Sequence, residues 1–250
     1  MQDQYVGDVG DFAKYGLLRA VSAGKCLGVA WYLHPNAGSD GKHAEYLMRP
    51  EEFRHLDEEL FDELKRLRSS NDFSVKAVEI SGILGNAVFA DDLLAITDVK
   101  VRDRTDWRCN WFERVENQLS ECELVFADPD NGLLPDNSFK STRKVSAKRI
   151  PLTEAMALAQ KERPAIFYHH NTRFPGGHYK EISHWMSQLT GCSHAFYWRR
   201  WSNRTFFIVN ADEEIKSKLK NFARRWGNCG ELLKVKNQFV VRESESAHML

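Results

Sequence analysis

The feature that most constrains the fold is an alternation of short, unbroken apolar runs with longer stretches of helical apolar spacing. Residues 27–33, 124–127 and 165–168 are such runs, with no polar residue among them. A strand with one solvated face alternates; a run without alternation is what a strand buried on both faces shows. Between the runs, apolar residues recur at helical intervals. Asp11 stands as an N-cap before Phe12, Tyr15, Leu17, Leu18 and Val21. Residues 51–68 carry the stripe Phe53, Leu56, Leu60, Phe61, Leu64 and Leu67. Further helices are expected over 105–119, 151–160, 178–189 and 211–226, and further strands over 75–80 and near Val88 and Phe89. Residues 194–199 and 205–209 read as a closing antiparallel hairpin around a polar tip. Strand–helix repetition of this kind predicts an α/β fold, a mostly parallel sheet covered on both faces, with that hairpin at its end.

The 250 residues contain no Pro/Gly/Ser-rich linker, so the expectation is one domain over 1–242 and a polar tail over 243–250. The longest apolar run, 26–33, falls far short of the roughly 20 residues of a membrane span. The first four residues, Met-Gln-Asp-Gln, have neither the basic nor the apolar region of a secretory leader. Five scattered cysteines, at 26, 109, 122, 192 and 229, form no CxxC pair and no dense disulfide framework. Together these point to a cytoplasmic chain with free thiols and no membrane partner. Charge is uneven. Residues 136–250 hold 20 Lys/Arg against 10 Asp/Glu, so the C-terminal half is +10 and the N-terminal half −10 around a net charge of zero. A basic half of this size is expected to meet a polyanion, RNA or DNA.

Ligands of open parallel sheets bind outside the carboxyl ends of the strands, and three such ends are rich in chemistry. After the first strand comes the Gly-containing loop 34–43, with His34, Ala37 and Gly38; it fits neither a Walker A nor a GxGxxG pattern. After 124–127 comes Asp128-Pro129-Asp130-Asn131-Gly132, where carboxylate and backbone acceptors can orient a reacting group. After 165–168 come His169, His170 and Arg173, a general base near neutral pH and a phosphate ligand by residue type. Glu79 and Asp91 are carboxylates at the expected ends of the second and third strands. The stretch 196–207 interleaves aromatics with arginines, a composition that suits stacking on nucleic acid.

Tyr5-Val6-Gly7-Asp8-Val9-Gly10-Asp11-Phe12-Ala13-Lys14-Tyr15 resembles the N-terminal His-Ala-Gly-Asn-x-Ala-Asp-x-x-Lys-His signature of the 23S ribosomal RNA adenine-N6 methyltransferase J family. Residues 32–39 resemble that family's Leu-Asp-x-His-Ala-Gly-Ala-Gly cofactor loop, and Asp128-Pro129-Asp130-Asn131 stands in the place of its Asp-Pro-Pro-Tyr. The resemblance runs through residues 5–210 in the order of elements, with about a dozen identical positions. It implies a three-layer, Rossmann-like class I methyltransferase fold, S-adenosylmethionine as cofactor, and nucleic acid as substrate. Asp8, Lys14, His34, Ala37, Gly38, Glu79 and Asp91 would then surround the cofactor. Asp128, Pro129, Asp130 and Asn131 would orient the acceptor, with His169 and Arg173 beside it, and no metal is assigned. Asp130 and Asn131 replace a proline and the aromatic that stacks on a flipped base, which points away from adenine as acceptor.

Two other readings use the same residues. Asp128 and Asp130 with His169, His170 or Asp8 have the donor types of a metal-dependent nuclease or phosphohydrolase. A non-catalytic nucleotide- or RNA-binding module needs only the basic half. On the methyltransferase reading Asp128 is expected to be a chemical residue whose replacement leaves stability nearly unchanged.

Overall fold

The computed structural model describes residues 1–35, 43–70, 74–236 and 239–243. An eight-stranded sheet forms its centre. Its strands are β1 (Leu27–Ala30), β2 (Val88–Ala90), β3 (Leu124–Ala127), β6 (Ala165–His170), β7 (Cys192–Trp198), β8 (Arg204–Val209), β9 (Gly230–Lys236) and β10 (Phe239–Arg242). Two-residue strands β4 (Leu133–Leu134) and β5 (Ile150–Pro151) pair separately. The order across the main sheet is β10-β9-β7-β8-β6-β3-β1-β2. From β2 to β6 the pairing is parallel; from β6 to β10 it is antiparallel. The sheet is therefore mixed, and more antiparallel than its apolar runs suggest.

The unbroken runs are buried on both faces. Leu124 and Phe126 of β3 join one core, with β6 residues Ile166 and Tyr168; Val125 and Ala127 join the other, with Ala165 and Phe167. The first core packs under helices α1 (Val9–Ser22), α3 (Glu58–Ser69), α4 (Val75–Ile80) and α9 (Glu213–Trp226). The second packs under α5 (Arg104–Gln118), α7 (Leu152–Leu158) and α8 (His178–Gln188). Short helices α2 (Pro50–Phe53) and α6 (Lys144–Ala147) lie in the connections.

Several local expectations change. Residues 75–80 are helix α4, not a strand: the Ser74 hydroxyl caps Ala77 N–H at 3.0 Å, and Asp3 accepts from Val75 N–H at 2.8 Å. Both are N-terminal donors that a strand would not present. The stripe over 51–68 breaks at Asp57, which caps α3 through Leu60 N–H. Helix α1 begins at Val9, capped by Asp8 rather than Asp11. The chain after 226 adds β9 and β10 to the sheet. Glu243 belongs to this body and not to a tail: its N–H donates to Leu232 and its carboxylate pairs with Lys220 and Lys234. Among the described residues no helix is long and apolar enough to cross a membrane.

Candidate functional site

From β1 the chain goes to β2 on one side and to β3 on the other, so the strand order reverses between β1 and β3. Crevices form outside the carboxyl ends of strands at such a reversal. A cavity of about 390 Å³ lies there, walled by the start of α1, the segment after β3, the end of β6 and the tip of the β7–β8 hairpin.

Helix α1 supplies the floor. Asp8 caps it, accepting from Asp11 N–H at 2.8 Å, and also takes both ends of the Arg204 guanidinium at 3.1 and 2.7 Å. Gly10 makes this possible, since a β-carbon there would sit 0.8 Å from Arg204 Nη1. One turn on, Lys14 Nζ lies 2.6 Å from Asp11 and 2.7 Å from Asp128. Asp11 also accepts from Gly7 N–H and the Tyr15 hydroxyl. All these side chains are buried. Burial pushes the Asp11 carboxyl up to about 6; Lys14 opposes that shift, and the charges of Asp8 and Asp128 add to it. Burial also acts to raise Asp8, but Arg204 outweighs it and holds the carboxyl below its ordinary value. Lys14, desolvated yet gripped by two carboxylates, holds its proton more tightly than a free lysine.

The segment after β3 forms the second wall. Asp128 N–H donates to Ala30 O at 2.9 Å, continuing the β1–β3 pairing. A turn closes from Gly132 N–H to Pro129 O, with Gly132 at φ +83°. A β-carbon at Gly132 would come within 2.6 Å of the His169 backbone. Asp130 faces Lys148 at 2.9 Å and the Met1 α-ammonium at 3.3 Å. Burial would raise the Asp130 carboxyl, but those two cations bring it down to about 2. The same ammonium donates to the carbonyls of Trp31, Tyr32 and Asp128, each at 3.1 Å. Tyr32, at φ 46°, turns the chain after β1 so that consecutive carbonyls reach it. Asn131 contributes to the cavity wall while its backbone is held by Lys148 O and Arg149.

Strand β6 runs to His170, two residues further than its apolar run, and its alternation separates the two histidines. Tyr168 and His170 line the cavity, their polar atoms 3.2 Å apart. His169 points into the opposite core. Its Nδ1 accepts from Leu133 N–H at 3.1 Å and its Nε2–H donates to Glu181 at 3.1 Å. Burial favours the neutral ring and lowers its pKa. Burial alone would raise Glu181, but hydrogen bonds from His169 and Thr172 bring it to about 2. His169 is thus a brace for the Gly132 turn, with neither nitrogen open to a ligand. Arg173 is exposed and lies off the cavity.

The expected cofactor residues divide. Asp8 and Lys14 line the cavity. His34 is buried behind it, its Nε2–H on Ala147 O at 2.8 Å, and burial depresses its pKa to about 4. Glu79 sits on α4, not at a strand end, where it accepts from the Trp31 indole at 2.9 Å and pairs with Lys76. Asp91 follows β2 and lies 3.7 Å from Lys76, away from the cavity. Ala37 and Gly38 lie outside the described residues, as does the rest of 36–42.

The aromatic–arginine stretch is mostly interior. Phe196, Trp198, Phe206 and Phe207 are core, and Arg204 is the partner of Asp8. Arg199 and Arg200 remain exposed at the tip, beside a half-buried Trp201 that carries the Arg49 guanidinium 5.5 Å from its ring. Of the basic segment 140–149, Lys140, Arg143 and Lys144 are exposed, whereas Lys148 and Arg149 hold the turn after β3.

Asp11, Tyr168, Ser202 and Arg204 are site residues that sequence reasoning did not single out. For Asp11 the signals were its i,i+3 spacing from Lys14 and the Asp-x-x-Lys that the N-terminal signature shares. Ser202 Oγ and Arg204 Nε are buried, lie in residues of the cavity wall, and have no hydrogen-bond partner among the described residues. Among the described residues no group of three or more His, Cys, Asp or Glu is placed to hold a metal ion. The carboxylates of Asp8, Asp128 and Asp130 each face a cation of the chain itself. Compared with known proteins, the chain matches no family model and no curated protein.

Proposed function

We propose that this protein is an S-adenosylmethionine-dependent methyltransferase of the class I architecture acting on an amine of nucleic acid. The observation that carries the reading is the sheet order around the cavity. A late antiparallel strand, β8, is inserted between β6 and β7, and the site opens where the order reverses between β1 and β3. A parallel sheet followed by this insertion is the layout that class I methyltransferases share, and here β9 and β10 extend it by two antiparallel strands.

The residues fit the cofactor's methionine end. Three backbone carbonyls and the Asp130 carboxylate surround one primary ammonium, at present that of Met1. S-adenosylmethionine carries the same methionine α-ammonium, and its binding there exchanges one amine for the other. The cavity volume lies within the range of small-molecule sites. When bound, the cofactor supplies a sulfonium-borne methyl group. The chain then has to position and desolvate the acceptor. The Asp128 carboxylate, on the cavity wall, is an acceptor for the hydrogens of an amine. On the hairpin wall, Ser202 Oγ and Arg204 Nε offer donors to the acceptor edge of a nucleobase. Exposed Arg199, Arg200, Lys140, Arg143 and Lys144 supply charge for a phosphate backbone. The metal-dependent alternative is weaker because Asp128 and Asp130 are already neutralised by Lys14 and Lys148, and His169 is closed.

Calorimetric titration with S-adenosylmethionine and, separately, Mn²⁺ tests the reading. Micromolar binding of the first, about −8 kcal/mol, and transfer of its labelled methyl group to RNA or DNA are expected. No heat at millimolar cofactor, or tight Mn²⁺ binding with nuclease activity, would overturn it.

A further inference from the structure

Two of the five cysteines, far apart in sequence, meet at the amino ends of β1 and β3. Cys26 Sγ lies 3.8 Å from Cys122 Sγ. Cys26 directly precedes β1 and Cys122 stands two residues before β3, where Leu27 pairs with Leu124. Their backbones are locked side by side. Cys26 O accepts from Glu123 N–H at 2.9 Å and Leu124 N–H at 3.2 Å, and Cys26 N–H donates to the Glu123 carboxylate at 2.8 Å. Gly28 leaves the space that Cys122 fills: a β-carbon there would lie 2.9 Å from its sulfur. Cys122 is buried and Cys26 half-buried, so an oxidant reaches Cys26 first.

We propose that Cys26 and Cys122 are a redox-active dithiol that closes to an intramolecular disulfide when a disulfide oxidant such as oxidised glutathione is present. The Cys26 thiolate attacks one sulfur of glutathione disulfide, forming a mixed disulfide and releasing one glutathione thiolate. Cys122 then loses its proton and attacks Cys26 Sγ, forming the Cys26–Cys122 bond and releasing the second glutathione. The two protein thiols lose two electrons and two protons, and the oxidant becomes two thiols. The sulfurs have to approach from 3.8 Å to about 2.0 Å, between strands that are already paired. Burial pushes the Cys122 thiol above its ordinary value, so closure speeds up with pH. In a reducing compartment the pair rests open and closes under oxidation. The bond joins the two strands whose carboxyl ends carry Trp31, Tyr32 and Asp128, and its cross-link spans 96 residues, which constrains the unfolded chain strongly.

The native protein is incubated with oxidised glutathione at mildly alkaline pH, then alkylated, digested and mapped by mass spectrometry. The expected results are a fall in alkylatable thiols from five to three, a linked Cys26–Cys122 peptide, and a raised Tm that dithiothreitol reverses. In Cys122→Ser the linked peptide disappears and a stable glutathione adduct remains on Cys26; Cys26→Ser provides the second check if the buried substitution does not fold. A wild-type chain in which Cys26 and Cys122 stay reduced, in which Cys26 keeps a stable mixed disulfide, or in which either links to another cysteine would overturn the proposal.

Discussion

Replacing Asp128 by Asn separates what the site does for chemistry from what it does for the fold. The carboxylate is 2% exposed and its Oδ2 sits 2.7 Å from Lys14 Nζ. Asn keeps the size and one oxygen acceptor but removes the charge. At an effective dielectric of about 20, two charges about 4 Å apart interact by about 4 kcal/mol. Against that, the variant no longer has to desolvate a carboxylate, which costs several kcal/mol, and the amide oxygen still accepts from Lys14. Lys14 also keeps Asp11 at 2.6 Å, so no uncompensated buried cation is left. The net loss is about 1–3 kcal/mol, below the roughly 3–5 kcal/mol of a fully broken buried pair. For a domain of this size that lowers Tm by roughly 2–12 °C. Thermal melts at neutral pH of Asp128→Asn, Asp11→Asn and the double variant are the assay. The double variant should lose more than the sum of the two, because it alone strands Lys14. A Tm unchanged or raised in Asp128→Asn, with strictly additive losses, would refute the shared-lysine account. Measured well below its Tm, the same variant should bind S-adenosylmethionine and lose turnover by about two orders of magnitude or more.

Gly10→Ala should cost about 3–5 kcal/mol, read from urea midpoints, because the new methyl displaces Arg204 and strands Asp8; a neutral effect would show that the guanidinium has another seat. The His34 pKa is depressed from 6.5 to about 4, so its contribution is present above pH 6.5 and is lost as pH falls toward 4. That amounts to about 3 kcal/mol at most. His34→Gln, which keeps a donor for Ala147 O, should flatten the stability difference across that window, and identical pH profiles would count against a buried neutral imidazole. Ser202→Ala should leave Tm unchanged or slightly raised, since it removes an unpaired buried hydroxyl, while KM for an acceptor oligonucleotide rises about 2- to 10-fold; lost stability with unchanged KM would make Ser202 a packing residue. Single-stranded RNA binding should weaken with salt by a slope of about −0.7 per neutralised phosphate, and Arg200→Ala should reduce that slope; a salt-independent affinity would remove the basic tip from the interface.

Burial is written locally in this chain, and charge pairing is not. Strands β1, β3 and the first four residues of β6 are legible because an unbroken apolar run marks a strand covered on both faces, a pattern visible within four or five positions. The hairpin of β7 and β8 and the placing of Asp128 at a strand's carboxyl end follow from the same pattern. Residues 75–80 read as a strand because six residues alternating through Val and Ile carry the two-residue period, but the Ser74 cap and the Asp3 carboxylate, 72 residues from Val75, make them helix. In β6 the exposed-looking pair His169-His170 belongs to the strand, and only the pleat decides that His170 meets the cavity while His169 meets Glu181. The ionic site is the least legible part. Asp8 and Arg204 are 196 residues apart, Lys14 and Asp128 are 114 apart, and the thiols of Cys26 and Cys122 are 96 apart. A residue's hydropathy reports whether its segment goes inside, because burial depends on near neighbours along the chain. Which buried charge it meets there depends on the order of strands across the sheet, and that order is set by packing the whole chain at once.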